Sequence, residues 1–349
     1  MTIKRKMKAA VLHKPLDVRI EEVPVPKPKA GEVLVAMKSV GVCGSDVHFY
    51  ENGRIGSFVV RKPLILGHES AGDVVALGPG VKNVGVGDRV AVEPGFPCRK
   101  CEFCKTGKYN LCPDVVFYAC PPHHGAYCEY QVAAADFVFK LPKNVSYDEG
   151  AMLEPLAVGM HACNRGHVGP GDHVAILGAG PIGLVTLQSA RARGATHLIA
   201  VDIDANRLKL AKKLGATDLV NASKKETVNE VKRLTDGLGA DVVMETAGAV
   251  PTTQQAVGCA KNGGRIVLVG MPTTDSFEMP VIEAISKEVS ISGLFRYANM
   301  YPPSIGLVSS GAIDVKSMIT KTFKLDDVPK ALDFALNQGK KAIKIMISI

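Results

Sequence analysis

The sequence has no apolar run long enough to cross a membrane, and no hydrophobic stretch follows Met1 as it would in a secretory signal. Internal repeats and low-complexity segments are absent as well. The net charge of +8 comes from scattered basic residues, and the one dense basic run, residues 4–8, has no aromatic residues interleaved with it. We therefore expect a soluble, cytoplasmic protein that binds neither membrane nor nucleic acid.

The rest of the composition suits two globular domains. The chain has 349 residues, and the 46% that are apolar are ample for two cores. Short apolar runs between turn residues predict β structure in residues 1–150, with the strands Lys8–Leu12, Val18–Val23, Val33–Val40, Gly72–Leu77 and Arg89–Val92. Strand and helix patterns then alternate, and the predicted strands are Val174–Leu177, Leu198–Val201, Asp218–Asn221, Asp241–Glu245, Arg265–Gly270 and Val289–Leu294. The predicted fold class is α/β, with a β domain and a doubly wound, parallel, six-stranded sheet.

A glycine-rich turn joins the first of these later strands to a helical pattern. In this G-x-G-x-x-G segment, Gly178 permits a tight turn, Gly180 lets the backbone approach a pyrophosphate, and Gly183 lets the helix pack on the strand. Asp202, 19 residues after Gly183, would accept hydrogen bonds from ribose hydroxyls and would repel a 2′-phosphate. The segment predicts dinucleotide binding, with NAD favoured over NADP. The alternative is a glycine-rich turn in an ordinary α/β protein.

Four of the nine cysteines have the spacing of metal ligands. Cys98-x2-Cys101-x2-Cys104-x7-Cys112 can close a tetrahedral site around one zinc with no open position, which predicts a structural site. An iron–sulfur cluster is a rival interpretation because Cys112-Pro113 resembles a ferredoxin ending, but ferredoxins place three residues before that cysteine. Unligated thiols are the remaining possibility. Four further cysteines are interpreted as ordinary small thiols: Cys120, Cys128, Cys163 and Cys259.

A second group of potential ligands has mixed chemistry. Cys43, His68 and Glu69 offer a thiolate, an imidazole and a carboxylate, and three protein ligands leave a zinc position open for water or substrate. On spacing alone, a satisfied core histidine beside a surface acid is the favoured interpretation. Glu154 stands in an apolar stretch with a helical pattern. It is either buried, where it needs a partner or a metal, or on the solvent-exposed edge of the helix. Arg296 follows the last predicted strand, where it is either a ligand-binding group or a surface charge.

Together the motifs resemble the zinc-containing medium-chain dehydrogenase/reductase superfamily, and within it the polyol dehydrogenases for sorbitol, xylitol and L-arabinitol. The resemblance covers nearly the whole chain, and its carrying segments are residues 41–56, 63–72, 87–95, 109–122, 153–162, 178–183 and 293–302. It implies a GroES-like catalytic domain of residues 1–150 completed by residues 295–349. It also implies a Rossmann NAD-binding domain of residues 151–294, with the active site in the cleft between the two domains.

The resemblance further implies two zincs per chain, one structural and one catalytic. The catalytic zinc would be held by Cys43, His68 and Glu69, with Glu154 as a fourth ligand or as the holder of its water. Ser45 and His48 match proton-relay positions of the family. The implied cofactor contacts, beyond the three glycines, are Ile182, Asp202, Arg207, Val269, Gly270, Met271, Leu294, Phe295 and Arg296.

The implied reaction is zinc- and NAD-dependent oxidation of a secondary hydroxyl of a sugar alcohol to the ketose. Arg296 and Tyr297 match residues that contact polyol hydroxyls, and Phe49 replaces a tyrosine that contacts substrate in some sorbitol dehydrogenases. The alternatives are a 2,3-butanediol or L-threonine dehydrogenase on the same scaffold, or a non-enzymatic NAD-binding protein. The family also implies a homotetramer or a dimer, with the last Rossmann strands as a possible interface.

Overall fold

The computed structural model describes residues 3–272, 274 and 276–349. Packing divides the chain into two compact units. The first contains the chain up to Glu154, together with Tyr301–Ser310 and Val315–Ile349, and the second contains Pro155–Met300 with Gly311–Asp314. The functional domain boundaries that the sequence predicts, at residues 150 and 294, stay a prediction. Within the described residues, no helix combines the length and apolar character that a bilayer crossing needs.

The first unit begins with strands that are buried over much of their length, with runs of three and four consecutive buried positions. All five strands predicted for this part of the chain lie within the observed strands. In chain order the strands are β1 (Lys6–Lys14), β2 (Asp17–Pro24), β3 (Glu32–Gly41), β4 (Arg54–Ile55), β5 (Phe58–Val59), β6 (Leu64–Ile65), β7 (Glu69–Leu77), β8 (Arg89–Val92), β9 (Gly95–Phe96), β10 (Val116–Phe117), β11 (Tyr130–Ala134) and β12 (Val138–Lys140). The helices are α1 (Gly44–Asn52), α2 (Glu102–Lys105) and α3 (Tyr147–Ala151).

The second unit has the predicted α/β alternation. Its helices are α4 (Leu153–Arg165, which starts at the end of the first unit), α5 (Pro181–Ala192), α6 (Ala205–Lys213), α7 (Thr227–Leu234), α8 (Val250–Cys259) and α9 (Val281–Ser286). Its strands are β13 (His173–Leu177), β14 (His197–Asp202), β15 (Asp218–Asn221), β16 (Ala240–Glu245), β17 (Ala260–Leu268) and β18 (Ser290–Gly293). All six strands are parallel, in the order β15-β14-β13-β16-β17-β18. The predicted six-stranded, doubly wound sheet is confirmed, and its order reverses between β13 and β16.

The chain ends with α10 (Tyr301–Ser309), β19 (Ile319–Lys324), α11 (Val328–Gln338) and β20 (Lys344–Ser348). β20 pairs antiparallel with β3, and this completes a seven-stranded sheet in the first unit. The path through that sheet is β12-β8-β7-β3-β20-β19, and β11 also pairs with β3. Since β3 and β7 are antiparallel neighbours, the end of β3 lies beside the start of β7, with Gly41 opposite Glu69.

Candidate functional site

The pairing of β3 with β7 brings three potential metal ligands together. Cys43 follows the end of β3, while His68 and Glu69 stand at the start of β7. One ligand atom from each of these residues lies within 4.8 Å of the other two. We call these three residues the mixed set. His68 and Glu69 are buried, at 6% and 1% exposure, whereas Cys43 is half-buried. The surface-acid interpretation of Glu69 is therefore wrong, because the strand carries the carboxylate into the core.

A buried aspartate fixes the backbone on both sides of the mixed set. Asp46 accepts hydrogen bonds from the N–H of Cys43 and from the N–H of Gly67, both at 3.0 Å. Its Oδ1 also lies 3.8 Å from Nδ1 of His68. The hydroxyl of Tyr127 donates to Asp46 Oδ2 at 3.0 Å. Gly67 has a φ of +87°, and a Cβ there would come within 2.7 Å of the Tyr127 ring. Glycine is required at that position by both the conformation and the space.

A buried lysine reaches the mixed set from the C-terminal strand. Nζ of Lys344 forms an ion pair with Oε2 of Glu69, and the two side chains are 3% and 2% exposed. Lys344 begins β20, two residues before Met346, which pairs with Gly41, and the end of its side chain lies beside Gly41. A Cβ on Gly41 would overlap Glu69 Oε2 and come within 2.9 Å of Lys344 Cε. The absence of a side chain at Gly41 therefore makes room for the ion pair.

The mixed set lies among other ionisable groups of both signs. Burial opposes protonation of His68, but Cys43, Asp46 and Glu154 together raise the pKa of this imidazole well above its ordinary value. Burial likewise opposes the charge on Lys344. The effect of Glu69, Cys43 and Glu154 is larger than that of burial, so the pKa of the Lys344 ammonium is raised. Glu154 is 5% exposed, so the alternative of a solvent-exposed edge is wrong. A cysteine sulfur, an imidazole and carboxylates close together in a largely buried pocket are a donor set that fits zinc.

The other residues predicted around this site lie on α1. Ser45 is half-buried in the first turn of α1, and His48 is exposed one turn later. Because residues three apart lie on one face of a helix, the two side chains are neighbours on α1. Phe49 is 5% exposed and belongs to the hydrophobic core of the first unit. The structure thus places a core-packed ring at a position where the resemblance implies a substrate contact.

A second group of ligands, the cysteine cluster, consists of Cys98, Cys101, Cys104 and Cys112. Their four sulfurs lie within 4.8 Å of one another. Backbone N–H groups of Lys100 and Cys101 lower the pKa of the Cys98 thiol to about 7, whereas burial raises that of Cys104 to about 12. The N–H of Cys98 also donates to the Cys112 sulfur at 3.4 Å. Four sulfurs with backbone donors at hand fit a closed tetrahedral zinc site.

Within the first unit, one contact links the cysteine cluster's loop to the mixed set, and another links the loop to a buried glutamate. The loop leaves from β9 and returns at β10, and these strands pair with each other. Phe117 of β10 packs against His68, with ring centroids 5.6 Å apart. Within the loop, the hydroxyl of Tyr109 donates at 2.7 Å to Glu93, a carboxyl group that is 2% exposed. Burial raises the pKa of Glu93 to about 8, with Glu154 adding to the shift and the Tyr109 hydrogen bond opposing it.

The glycine-rich turn of the second unit has the predicted form. It lies between β13 and α5, and Gly178 adopts a φ of +105° that favours glycine. A Cβ on Gly183 would overlap the carbonyl of Gly178, whereas one on Gly180 would meet nothing closer than 3.9 Å. The space in front of Gly180 is therefore open, as a bound pyrophosphate requires. Gly180 caps α5, and the N–H groups of the next residues, Ile182 among them, have no partner within the helix.

Asp202 ends β14 beside this turn. Its Oδ2 accepts a hydrogen bond from the N–H of Ala179 at 2.7 Å, and its Oδ1 accepts one from the N–H of Asp204 at 2.8 Å. The guanidinium of Arg207 lies 3.9 Å from Asp202 Oδ2. The carboxylate is thus held in one orientation at the edge of the sheet where doubly wound folds bind ligands. Its neighbour Ile203 is 64% exposed.

The remaining predicted cofactor and substrate residues follow β17 and β18. Val269, Gly270 and Met271 form the turn after β17, and the N–H groups of the first two donate to the carbonyl of Glu245. After β18, the Arg296 guanidinium stacks 4.6 Å from the Phe295 ring centroid, with Arg296 at a φ of +54°. A non-glycine residue with positive φ costs roughly 1–3 kcal/mol, and such strain concentrates at functional sites. The other two predicted residues there are Leu294, half-buried, and Tyr297, 3% exposed.

Several residues of the site escaped the sequence analysis. For Lys344 a signal existed, because it is the one charged residue in the apolar run from residue 343 to residue 348. Asp46 also gave a signal, since it lies three residues after Cys43, the spacing of an N-terminal capping acid. The signal for Glu93 and Glu245 was weaker: each is an acidic residue at the end of an apolar stretch. Tyr127 had no local signal, because its role depends on contacts with residues 60 to 86 positions away.

Comparison with known proteins agrees with this geometry. The family described as alcohol dehydrogenase GroES-like domain matches residues 29–143, and the one described as zinc-binding dehydrogenase matches residues 181–310. Sorbitol dehydrogenase of Bacillus subtilis is 44% identical over 99% of this chain and 98% of its own length. Sorbitol dehydrogenase of Homo sapiens is 45% identical over 97% of this chain and 94% of its own length.

A solved structure shows the same fold from end to end. An oxidoreductase/dehydrogenase of unknown specificity from Escherichia coli, involved in membrane biogenesis, superposes with a TM-score of 0.95 at 42% identity. The superposition covers 99% of each chain. The predicted GroES-like and Rossmann folds are thereby confirmed. The chain belongs to the zinc-containing medium-chain dehydrogenase/reductases and, within them, to the polyol dehydrogenase family that includes these sorbitol dehydrogenases.

Proposed function

We propose that this enzyme oxidises a secondary hydroxyl of a sugar alcohol, such as sorbitol, xylitol or L-arabinitol, to the ketose with zinc and NAD. The observation that carries the proposal is the mixed set, in which a cysteine sulfur, an imidazole nitrogen and a carboxylate oxygen lie within 4.8 Å of one another. Three protein ligands leave a zinc position open for a substrate hydroxyl. The two sorbitol dehydrogenases at 44% and 45% identity support the substrate class.

Each ligand of the mixed set has a partner that fits the proposed role. Zinc held by these residues would supply a Lewis acid for the alcohol oxygen, and NAD would supply the hydride acceptor. Asp46 holds the backbone beside Cys43 and His68, and Lys344 holds Oε2 of Glu69. Such partners orient ligands and raise metal affinity. Glu154 is proposed as the fourth ligand or as the holder of a water at the open position.

Two routes are proposed for the proton that the alcohol loses. Ser45 and His48 lie one turn apart on α1, and the exposure of His48 gives this pair a way to solvent. Glu154 is buried close enough to shift the pKa of His68, so a water that it holds provides the second route. In the second unit, Arg296 and Tyr297 are proposed to bind polyol hydroxyls. The guanidinium and the phenol supply the donors that a substrate with adjacent hydroxyls needs.

The decisive experiment measures activity and metal content on the same sample. NADH production is assayed with sorbitol, xylitol, L-arabinitol, ribitol, 2,3-butanediol, L-threonine and ethanol, and zinc is counted per chain. Two zincs and turnover confined to the polyols are expected. Two zincs with turnover of butanediol or threonine would overturn the substrate class, and tight NAD binding without turnover would favour a non-enzymatic NAD-binding protein.

NAD is proposed over NADP because Asp202 is fixed at the end of β14 and would repel a 2′-phosphate. The variant Asp202→Ser with Ile203→Arg replaces the repulsion by an attractive charge, and Ile203 is exposed enough to accept the change. We expect the ratio of kcat/KM for NAD to that for NADP to fall by at least about tenfold, roughly 1.4 kcal/mol. Ile203→Arg alone is the control and should keep the NAD preference. Equal use of both cofactors by the wild type would contradict the proposal.

A homotetramer is proposed, with a dimer as the alternative. β18 is the edge strand of the parallel sheet, and it lies close to α9 in sequence. Three isoleucines there are strongly exposed: Ile282 at 78%, Ile285 at 69% and Ile291 at 43%. An exposed apolar sheet edge is typical of an interaction surface. Light scattering of the wild type should give a mass that is a multiple of the chain mass of 37.0 kDa, and the mass measured for Ile285→Lys should be lower. A monomeric wild type would exclude this proposal.

A cytoplasmic location is also proposed. Thiolate ligands persist where thiols are kept reduced, and five cysteines belong to the mixed set and the cysteine cluster. Among the described residues, no two cysteines are joined by a disulfide. Cell fractionation tests the location, and recovery in an oxidising compartment with the cluster cysteines disulfide-bonded would contradict it.

A further inference from the structure

One of the two central strands of the second unit, β16, ends in a carboxylate to which the proposed reaction gives no role. Glu245 is 0% exposed at the end of β16. β16 pairs with β13, so Glu245 stands where the strand order reverses and where doubly wound sheets bind their ligands. A carboxylate loses its hydration when it is buried, and it needs specific donors to offset that loss.

Those donors come from the turn that follows β16. Oε1 of Glu245 accepts hydrogen bonds from the N–H groups of Ala247 and Gly248, both at 3.0 Å, and from Oγ1 of Thr252 at 2.7 Å. Its backbone carbonyl accepts from the N–H groups of Val269 and Gly270, at 2.8 and 3.0 Å. Burial raises the pKa of the Glu245 carboxyl, and the donors oppose that rise. One residue therefore holds the turn after β16 by its side chain and the turn after β17 by its main chain.

Both neighbouring turns pack directly on residues 246–248. A Cβ on Gly178 would come within 2.9 Å of the backbone nitrogen of Ala247, and one on Gly270 would overlap the nitrogen of Gly248. Oγ1 of Thr246 donates to the carbonyl of Gly178 at 2.8 Å. With so little space between them, a shift of residues 246–248 must move residues 178–183 and residues 269–271 as well.

We propose that Glu245 is a positioning residue of the cofactor site, which holds residues 246–248 and thereby sets the spacing between residues 178–183 and residues 269–271. The inference rests on the proposed function, in which these two segments contact the nicotinamide dinucleotide. Because Glu245 acts through the turn, its loss should weaken cofactor binding while the KM for the polyol changes little.

The test uses Glu245→Gln in the full-length, zinc-loaded enzyme. The matched control is Asp241→Asn at the opposite end of β16, where Asp241 accepts the N–H of His173 at 2.8 Å and pairs with Lys261. NADH affinity is measured by fluorescence titration, together with Tm, kcat and the KM values for NAD and polyol. We expect the Kd for NADH and the KM for NAD to rise about tenfold in Glu245→Gln, since hydrogen bonds to a charged acceptor are the strong ones. In Asp241→Asn we expect a lower Tm and an unchanged Kd.

An unchanged Kd in Glu245→Gln overturns the inference. So does equal weakening of NADH binding in Asp241→Asn, since general loss of stability would then explain both variants. If Glu245→Gln does not fold, Thr252→Val is used instead, because it removes one hydrogen-bond donor and leaves the Glu245 carboxylate in place. A Kd for NADH raised about twofold or more in Thr252→Val supports the inference, and an unchanged Kd overturns it. A wild-type enzyme that binds no NADH would overturn the proposed function, and this inference with it.

Discussion

The cysteine cluster and the mixed set lie in the same unit, but the first is assembled within residues 98–112 and the second by the ends of strands. Three of the cluster's four cysteines are half-buried, and backbone N–H groups of the loop itself donate to its sulfurs. The mixed set takes ligands from beside β3 and β7, and its supporting groups come from α1, from the segment before β11 and from the last strand.

This difference in construction separates two roles. A closed set of four sulfurs leaves a zinc no open position, so the cysteine cluster can stabilise its loop but offers no place for substrate. The mixed set offers three potential ligands, and beside it lie Glu154 and Lys344, which pairs with Glu69. Charge in that buried pocket is balanced by residues far apart in the chain. We therefore expect the two sets to respond differently to loss of one ligand.

The largest expected effect is the loss of activity when the mixed set loses a ligand. Cys43→Ser should lower kcat/KM by at least about a thousandfold, because Cys43 would help to hold a Lewis acid whose contribution to catalysis is several kcal/mol. Zinc content should fall from two to one per chain. Cys128→Ser, which changes a buried thiol in the same unit, is the matched control and should keep both zincs and full activity. Full activity with one zinc in Cys43→Ser would remove the distinction between the two sets.

A smaller effect, on stability, is expected when the cysteine cluster loses a ligand. Cys101→Ser should release one zinc and lower Tm by roughly 10 °C, since metal binding at a structural site contributes directly to folding. Activity per folded molecule should fall far less than in Cys43→Ser. Thermal unfolding with zinc counting measures both quantities. An unchanged Tm with one zinc lost would show that the cluster does not stabilise its loop.

The smallest expected effect concerns Glu93, which receives the Tyr109 hydrogen bond from the cluster's loop. Burial raises the pKa of Glu93 from 4.5 to about 8, so between these values the folded state keeps a proton that the unfolded state has released. The free energy of unfolding therefore falls as pH rises through this window, by about 1 kcal/mol per pH unit. Glu93→Gln stays neutral and should lack this component. The Tm of Glu93→Gln minus the Tm of the wild type should therefore rise from pH 5.5 to pH 7.5. A difference that stays constant over this range would contradict the raised pKa of Glu93.

Much of the fold could be predicted because its signals are local. Asp218–Asn221 was predicted with its observed bounds, and β13 and β14 begin within one residue of the prediction. The strand predicted from Arg265 starts earlier, at Ala260, because the parallel pairing with β16 recruits Ala260 across an irregularity that propensity does not show. The helical stretch around Glu154 is divided into α3 and α4, with Met152 between them.

By itself, the sequence determined the cysteine cluster and the glycine turn of residues 178–183, because each is a short segment whose chemistry depends on spacing along the chain. For the mixed set, spacing alone favoured an ordinary core histidine, and its interpretation as a site came from resemblance to a family. Tertiary structure decided that Glu69 and Glu154 are buried, that Lys344 pairs with Glu69, and that Glu245 holds residues 246–248. The physical reason is that the charge and hydration of a buried group depend on neighbours supplied by strand pairing, which can lie hundreds of residues away along the chain.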